Sequence, residues 1–272
     1  MENPLDGSKL KEQQYANAAK FNIRFYFHAR FGTNQYPWPF WVFDQIEKTQ
    51  NGRVLELGCG NGMLWKVNAN RIPAHWDITL SDYSEGMLSE ARKALSNVER
   101  PIRYEMIEAT AIPHPDRTFD IIIANHMLYH IPDRAQALSE MKRVLQPGGI
   151  FYASTIGRHH MREMKDLMRE FDPDSGYEAV QDTIQAGFSL ENGAAQLEKY
   201  LPTVALRHYP DALRVTEAQP LVDYVLSCNG LDSGRTALRP GRSEEFKRFV
   251  LAKLEADGEI VFSKPSGLFI AQ

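Results

Sequence analysis

Between Arg53 and Thr155 short apolar runs alternate with helix-like segments. Val54–Leu57, Ile78–Ser81, Ile102–Ile107, Ile121–Ala124 and Ile150–Ser154 read as strands, and their near-continuous apolar character suits strands buried on both faces of a parallel sheet. Ser84–Leu95 opens on a serine suited to cap a helix and sets Met87, Leu88, Ala91 and Leu95 on one side. Asp133–Leu145 carries Leu138, Met141 and Leu145 at helical spacing and stops before Pro147-Gly148-Gly149. Strand, helix, strand repeated in this way predicts a doubly wound α/β sheet with right-handed crossovers.

On either side of this core the pattern is less regular. Residues 1–20 form a polar arm, followed by a dense aromatic stretch from Phe21 to Phe43. Within it, Arg30–Pro37 reads as a loop and Trp38–Lys48 as a helix. After the core, His159–Phe171, Ser189–Leu201, Glu217–Cys228 and Ser243–Leu254 read as helices. Val204–Tyr209, Ala212–Val215, Ile260–Phe262 and Leu268–Ile270 read as short strands. Turns are expected at Asp232-Ser233-Gly234, Arg239-Pro240-Gly241 and Lys264–Gly267. The stretch 156–202 is long for a connection within a sheet and reads as an inserted cap. The expected organisation is an N-terminal arm and aromatic lid (1–45), a cofactor-binding core (46–155), the cap insertion (156–202) and final strands and helices completing the sheet (203–272).

The 272 residues suffice for one large domain with an elaborated cap. A net charge of −4 and a pI near 6.1 argue against a dedicated nucleic-acid binder. Two cysteines, Cys59 and Cys228, cannot build a disulfide framework and suit a reducing compartment. The first twenty residues have no apolar core for a secretion signal, and no uncharged apolar run approaches the ~20 residues of a membrane helix. The expectation is a cytoplasmic protein with no membrane partner, monomeric or homodimeric.

The sharpest motif is Val54-Leu55-Glu56-Leu57-Gly58-Cys59-Gly60-Asn61-Gly62, which leaves a strand and leads toward a helix. Ligands of open α/β sheets sit at the carboxyl ends of the strands, where glycines let the backbone turn sharply and approach them. Three further features fall in register. Asp82 ends the next strand, where a carboxylate accepts bonds from a ribose diol. Glu108-Ala109-Thr110 follows the third strand, within reach of an adenine edge. Asn125 and His126 stand at the tip of the fourth. A dinucleotide fingerprint needs a third glycine where Met63 stands, and no P-loop signature is present. Glu56 under the loop is ill suited to a pyrophosphate and well suited to an ammonium group beside a sulfonium.

This set resembles the class I S-adenosylmethionine-dependent methyltransferases, in particular their bacterial small-molecule branch. The matching stretches are Glu56–Gly62, Asp82, Glu108-Ala109 with Ile112-Pro113, Phe119-Asp120 and Leu145-Gln146-Pro147-Gly148-Gly149. The resemblance implies a mostly parallel, seven-stranded Rossmann-like sheet and S-adenosyl-L-methionine as cofactor, with S-adenosyl-L-homocysteine as product. It implies that Glu56, Gly58, Cys59 and Gly60 lie under the methionine moiety and Asp82 at the ribose. Tyr83 and Met87 would flank the adenine, Glu108, Ala109 and Thr110 would meet its edge, and Asn125 and His126 would stand beside the sulfur. Glu108 replaces the aspartate usual there.

Methyl transfer needs an acceptor held in line with the methyl group, and a base only where the acceptor must lose a proton. Histidine titrates near neutrality, so His126 and His160 are the candidate bases. Substrate walls are expected from Tyr26, His28, Arg30, Trp38, Tyr129, His130, Met161, Met164 and Tyr224, with the loop Gly32-Thr33-Asn34 as a possible closing element. His126 and His130 lack a third ligand at diagnostic spacing, so no metal is expected; Cys59 has no partner that would make it a nucleophile. No Asn/Asp-Pro-Pro-Tyr/Phe follows the fourth strand, which speaks against methylation of DNA bases or glutamine side chains. The expected function is methyl transfer to an oxygen or nitrogen of a small, partly apolar metabolite. A protein, peptide or RNA methyltransferase and a non-catalytic S-adenosylmethionine-binding regulator or partner subunit stay open as alternatives.

Overall fold

The computed structural model describes residues 18–48, 52–229, 231 and 235–272. The polar arm up to residue 17 and the turn Asp232-Ser233-Gly234 lie outside the described residues. In chain order the principal elements are α1 (Ala18–Phe31), α2 (Trp38–Gln45), β1 (Gly52–Leu57), α3 (Met63–Val67), β2 (Trp76–Asp82), α4 (Glu85–Ala94) and β3 (Ile102–Met106). There follow β4 (Phe119–Asn125), α5 (Arg134–Val144), β5 (Leu145–Ile156), α6 (Arg162–Phe171), α7 (Tyr177–Gly187), α8 (Gly193–Leu197) and β6 (Val204–Tyr209). The last are β7 (Ala212–Val215), α9 (Ala218–Ser227), α10 (Ser243–Asp257), β8 (Ile260–Ser263) and β9 (Ser266–Ala271).

Seven strands form one sheet in the order β3-β2-β1-β4-β5-β9-β6. The first five are parallel, and β9 runs antiparallel between β5 and β6. This is the mostly parallel, seven-stranded α/β sheet expected. The central strands are buried on both faces, which is why they read as continuous apolar runs. Helix starts follow the expected chemistry: Ser84 Oγ accepts from the Met87 amide, and Asp133 Oδ1 accepts from the Gln136 amide. Between β1 and β4 the strand order reverses direction, and this switch point opens a crevice at the carboxyl ends of the strands.

Several elements differ from expectation. β7 and β8 leave the main sheet and pair with each other as a separate two-stranded sheet. The helix expected over Ser189–Leu201 shortens to Gly193–Leu197, and Tyr177–Gly187 forms a helix that the sequence did not announce. That helix buries Gln181 and Gln185, so its inward face reads as polar. The aromatic stretch begins as a fourteen-residue helix, α1, whose last turn takes in Arg30 and Phe31 from the expected loop.

Packing groups these segments differently from their order in sequence. One core fills each face of the main sheet, with Phe188, Leu197 and Phe269 in one and Phe43, Trp65 and Leu268 in the other. A further core joins Phe27 and Phe31 of α1 to Met164 and Met168 of α6, Tyr177 of α7, Leu213 of β7, Tyr224 of α9, Phe246 of α10 and Phe262 of β8. This cap stands over the carboxyl ends of the strands, and Phe27 stacks on Tyr224 at 4.5 Å to tie α1 into it. Among the described residues, no helix is long and apolar enough to cross a membrane.

Phe269 on β9 is fully buried and meets Phe188 edge-on at 5.7 Å. Phe269→Ala is expected to destabilise the protein by about 3–5 kcal/mol, the range for emptying an aromatic core site. Urea unfolding checks this, and a loss below about 1 kcal/mol would show that β9 is not part of the cooperative core.

Candidate active site

A cavity of about 1300 Å³ opens at the switch point and runs from the tips of β1, β2 and β3 to the cap. Ligand pockets are commonly about 300–1,000 Å³, so this one has room for more than one small molecule. Its outer part is built on the glycine loop after β1. Gly58, Gly60 and Gly62 all have positive φ (69°, 56° and 72°), which a side chain would strain. At Gly58 a Cβ would also lie 2.9 Å from Met127 Cβ. The Cys59 amide donates to Ser81 O at 2.8 Å and ties the loop to the end of β2.

Asp82 sits at the tip of β2 and accepts from the Gly60 amide at 3.0 Å and the Ser84 amide at 2.9 Å. Burial outweighs those bonds and pushes its carboxyl up to about 6. Glu56 lies beneath the loop, 1% exposed, with Oε2 accepting from Trp65 Nε1 at 2.5 Å. Burial, reinforced by the Asp82 charge, pushes Glu56 up to about 8, against the bond from Trp65. Two acidic groups thus share the floor of the crevice, and in the ligand-free protein Glu56 is protonated near neutral pH. Burial raises the Cys59 thiol well above its usual range, so Cys59 is no ready nucleophile.

Of the residues expected around a cofactor, Glu56, Gly58, Cys59, Gly60, Asp82, Tyr83, Glu108, Ala109, Thr110, Asn125 and His126 line the cavity. Met87 does not; it is buried behind the loop. Glu108 is exposed and accepts from Thr110 Oγ1 at 2.9 Å.

The inner part lies between β4, β5, α1 and the cap. His126 follows β4 with a φ of 54°, a conformation uncommon for a residue with a Cβ. Its amide donates to Ser154 Oγ at 2.9 Å, and its ring lies 4.9 Å from that of Trp38. Asn125 Oδ1 accepts from Ser154 Oγ at 2.6 Å and Trp38 Nε1 at 3.3 Å, so Asn125 holds the wall rather than pointing a free amide oxygen into it. His28, Trp38, Tyr129, His130, His160 and Tyr224 line this part as expected. Burial lowers His28 well below the usual histidine range and brings His126, His130 and His160 each to about 3, with the Lys264 charge the next cause for His28, His126 and His160. All four imidazoles are neutral near pH 7. Burial raises the Tyr129 and Tyr224 phenols above their ordinary range.

Four expected wall residues stand elsewhere. Tyr26 is 57% exposed, and Arg30 pairs with Glu217 on the surface at 2.5 Å. Both follow from the phase of α1, which turns Phe21, Arg24, Phe25 and His28 inward and the face of Tyr26 and Arg30 out. Met161 and Met164 are fully buried in the cap core, not in the cavity wall. The loop Gly32-Thr33-Asn34 is held against β7 by the Asp211 carboxylate, which accepts from the Thr33 and Asn34 amides at 2.9 and 3.0 Å. It is a fixed wall, not a free closing element.

Sequence reasoning missed Phe21, Arg24, Gln181, Tyr209, Asp211 and Lys264, all in the lining. The spacing of Phe21, Arg24, Phe25 and His28 would have shown the first two once α1 was recognised as a helix. Nothing local announces the others. Among the described residues, no cluster of three or more His, Cys, Asp or Glu side chains is placed to hold a metal ion.

Comparison with known proteins bears on this geometry. Residues 55–153 match a family model described as a methyltransferase domain. Over 106 residues the chain is 38% identical to the ubiquinone/menaquinone biosynthesis C-methyltransferase of Geobacter sulfurreducens, covering 38% of this chain and 41% of that protein. Over 121 residues it is 34% identical to the ubiquinone biosynthesis O-methyltransferase of Azotobacter vinelandii, covering 44% and 50%. The matched part thus spans about two-fifths to a half of the length of these curated relatives. The fold resembles that of the Haemonchus contortus phosphoethanolamine N-methyltransferase 2 solved with S-adenosyl-L-methionine, with a TM-score of 0.58 at 17% identity, over 97% of this chain and 59% of that one. The matched region holds the glycine loop, Asp82 and the switch-point strands, and over it the chain is similar to a methyltransferase domain.

Proposed function

We propose that this protein binds S-adenosyl-L-methionine in the outer crevice and transfers its methyl group to an oxygen or nitrogen of a small, partly apolar acceptor in the inner chamber. The observation that carries this reading is the continuity of the cavity, from the glycine loop and Asp82 to a room walled by Trp38, His126, His160 and Tyr224. The residues fit the cofactor. The glycine hinges leave backbone where a Cβ would intrude, and Asp82 keeps lone pairs beyond its two amide bonds for a ribose diol. Glu56 gives an ammonium group a carboxylate to neutralise.

Held by the glycine loop, Asp82 and Glu56, S-adenosylmethionine would supply an electrophilic methyl group on a sulfonium, with the neutral thioether as the leaving group. The chain's own residues orient and enclose. His126 and Trp38, their rings tilted by 39° to each other, form an aromatic wall at the tip of β4. Phe21 of α1 covers the loop at Gly60, and Asn22 accepts from Asn61 Nδ2 at 2.9 Å, so α1 roofs the crevice as an aromatic lid. A hydroxyl acceptor must shed a proton; His126 and His160 face the chamber as neutral imidazoles, but burial and the Lys264 charge hold both near 3, so either serves as a base only where a bound ligand restores its basicity. The enclosure favours a small molecule over a protein, peptide or RNA chain.

Calorimetry with S-adenosylhomocysteine and radioactive methyl transfer into metabolite extract test the reading. The expected results are tight binding and a labelled product of low mass. Binding without turnover in any extract would support a cofactor sensor instead, and no binding would overturn both. Asp82→Ala is expected to weaken cofactor affinity by roughly 10- to 100-fold while the fold persists, the loss following from its charge-assisted bonds; unchanged affinity would remove Asp82 from the site.

Glu56 sets a pH dependence. Its carboxyl is raised in the ligand-free protein, so an arriving ammonium must drive the proton off near pH 7. Affinity should rise with pH up to about 8, by at most about tenfold per pH unit for one proton released. Without cofactor the sign reverses: the stability that Glu56 contributes is complete below its unfolded value near 4.5 and is lost as pH rises toward about 8. Glu56→Gln should flatten both profiles, and a variant that keeps both slopes would assign them to another group.

A further inference from the structure

We propose that the inner chamber selects acceptors carrying an oxyanion, a carboxylate or phosphate, seated between His28, His160 and Lys264. This rests on the reading of the outer crevice as the cofactor site and names the class of molecule the inner chamber takes.

The geometry begins with two unmet imidazoles. The rings of His28 on α1 and His160 after β5 face each other at 5.6 Å, and both line the cavity. The Nδ1 atoms of both are buried and have no hydrogen-bond partner among the described residues. His160 is 6% exposed, its amide donates to Gly157 O at 3.0 Å, and its carbonyl accepts from Gln185 Nε2 at 3.0 Å. Its backbone is therefore fixed while its ring is left unsatisfied. An unpaired buried imidazole nitrogen is costly, and in the tautomer that carries its proton on Nδ1 it is a donor whose cost a ligand oxygen recovers.

The fixed charges decide the sign. Lys264 lies on the short connection between β8 and β9 and lines the same space. Its ammonium is the leading charge acting on His28, His126 and His160. Lys264 Nζ donates to Asp211 Oδ2 at 2.7 Å, and an ammonium has two further donors. The remaining charges near these rings are Arg24 beside His28 and Asp211 and Glu163 beside His160. Arg24 donates to Ser227 O at 2.8 Å and keeps its positive charge on the chamber side.

The carboxylates are committed. Asp211 Oδ1 accepts from the amides of Thr33, Asn34 and Ala212, and Oδ2 takes Lys264. Glu163 is bonded to the amide and hydroxyl of Ser263 and does not line the cavity. An ammonium-bearing acceptor would meet two cations and spent carboxylates. An oxyanion meets imidazole N–H donors and the Lys264 ammonium, while the aromatic rings of Phe25, Trp38 and Tyr224 cover its apolar part.

The experiment titrates the protein, saturated with S-adenosylhomocysteine, with matched sets of one frame each: benzoate, benzamide and benzylamine, then butyrate, butyramide and butylamine, with phenyl phosphate as a second oxyanion. The expected result is that the oxyanion of a set binds at least about tenfold tighter than its amide or amine. His28→Gln and His160→Gln should each bring the oxyanion down toward the amide while affinity for S-adenosylhomocysteine and the melting temperature hold. Lys264→Met tests the charge, and since it also strips Asp211 of its partner, the wild-type ranking decides if that variant misfolds. Equal binding across a set, preference for the amine, or no measurable oxyanion binding overturns the proposal. A protein that does not bind S-adenosylhomocysteine overturns the methyltransferase reading instead, and the same titration without it still decides the oxyanion site.

Discussion

One carboxylate holds the outer site together. Asp82 ends β2, restrains the glycine loop through Gly60 and fixes the start of α4 through Ser84. The end of β2, the start of α4 just after it and the glycine loop 22 positions earlier meet on its two oxygens. The arrangement forces acidic groups into a dry place, and both Asp82 and Glu56 respond with raised pKa values. That cost is what a polar, positively charged ligand relieves, so the features that make the loop awkward without a ligand make it receptive to one.

The second constraint is the position of α1. Its inward face spans both compartments, with Phe21 against the glycine loop and His28 against the inner chamber. Lys20 Nζ and Arg24 Nη1 reach carbonyls at the C-terminal end of α9, those of Asn229 and Ser227, at 3.1 and 2.8 Å. One helix therefore sets the depth of the cofactor crevice and the shape of the room beyond it.

The core was legible because its elements are locally consistent. Parallel strands buried on both faces give unbroken apolar runs, and capping residues such as Ser84 and Asp133 stand where helices must start. Val204–Tyr209 and Ala212–Val215 were readable to the residue, but not that the second would leave the main sheet, since pairing partners are not written into a strand. The cap was harder. α1 is aromatic on most sides and gives no clean period, so Tyr26 and Arg30 were placed inside when helical phase puts them outside. Met161 and Met164 do lie on an apolar stripe, but the stripe faces the cap core. α7 hides its helix by burying Gln181 and Gln185. Lys264 and Asp211, 53 positions apart, become neighbours only because β6 pairs with β9 and β7 with β8, and no local pattern foretells that.

The partition into separate hydrophobic cores has a consequence for ancestry. The sheet cores support the loop, Asp82 and Glu56, whereas His28, Lys264 and Tyr224 hang on a core of their own. Changes that repack the upper core can reshape the inner chamber while the glycine loop, Asp82 and Glu56 below stay in place. Descendants of such a plan can alter what that chamber admits and leave the crevice at the strand ends as it was.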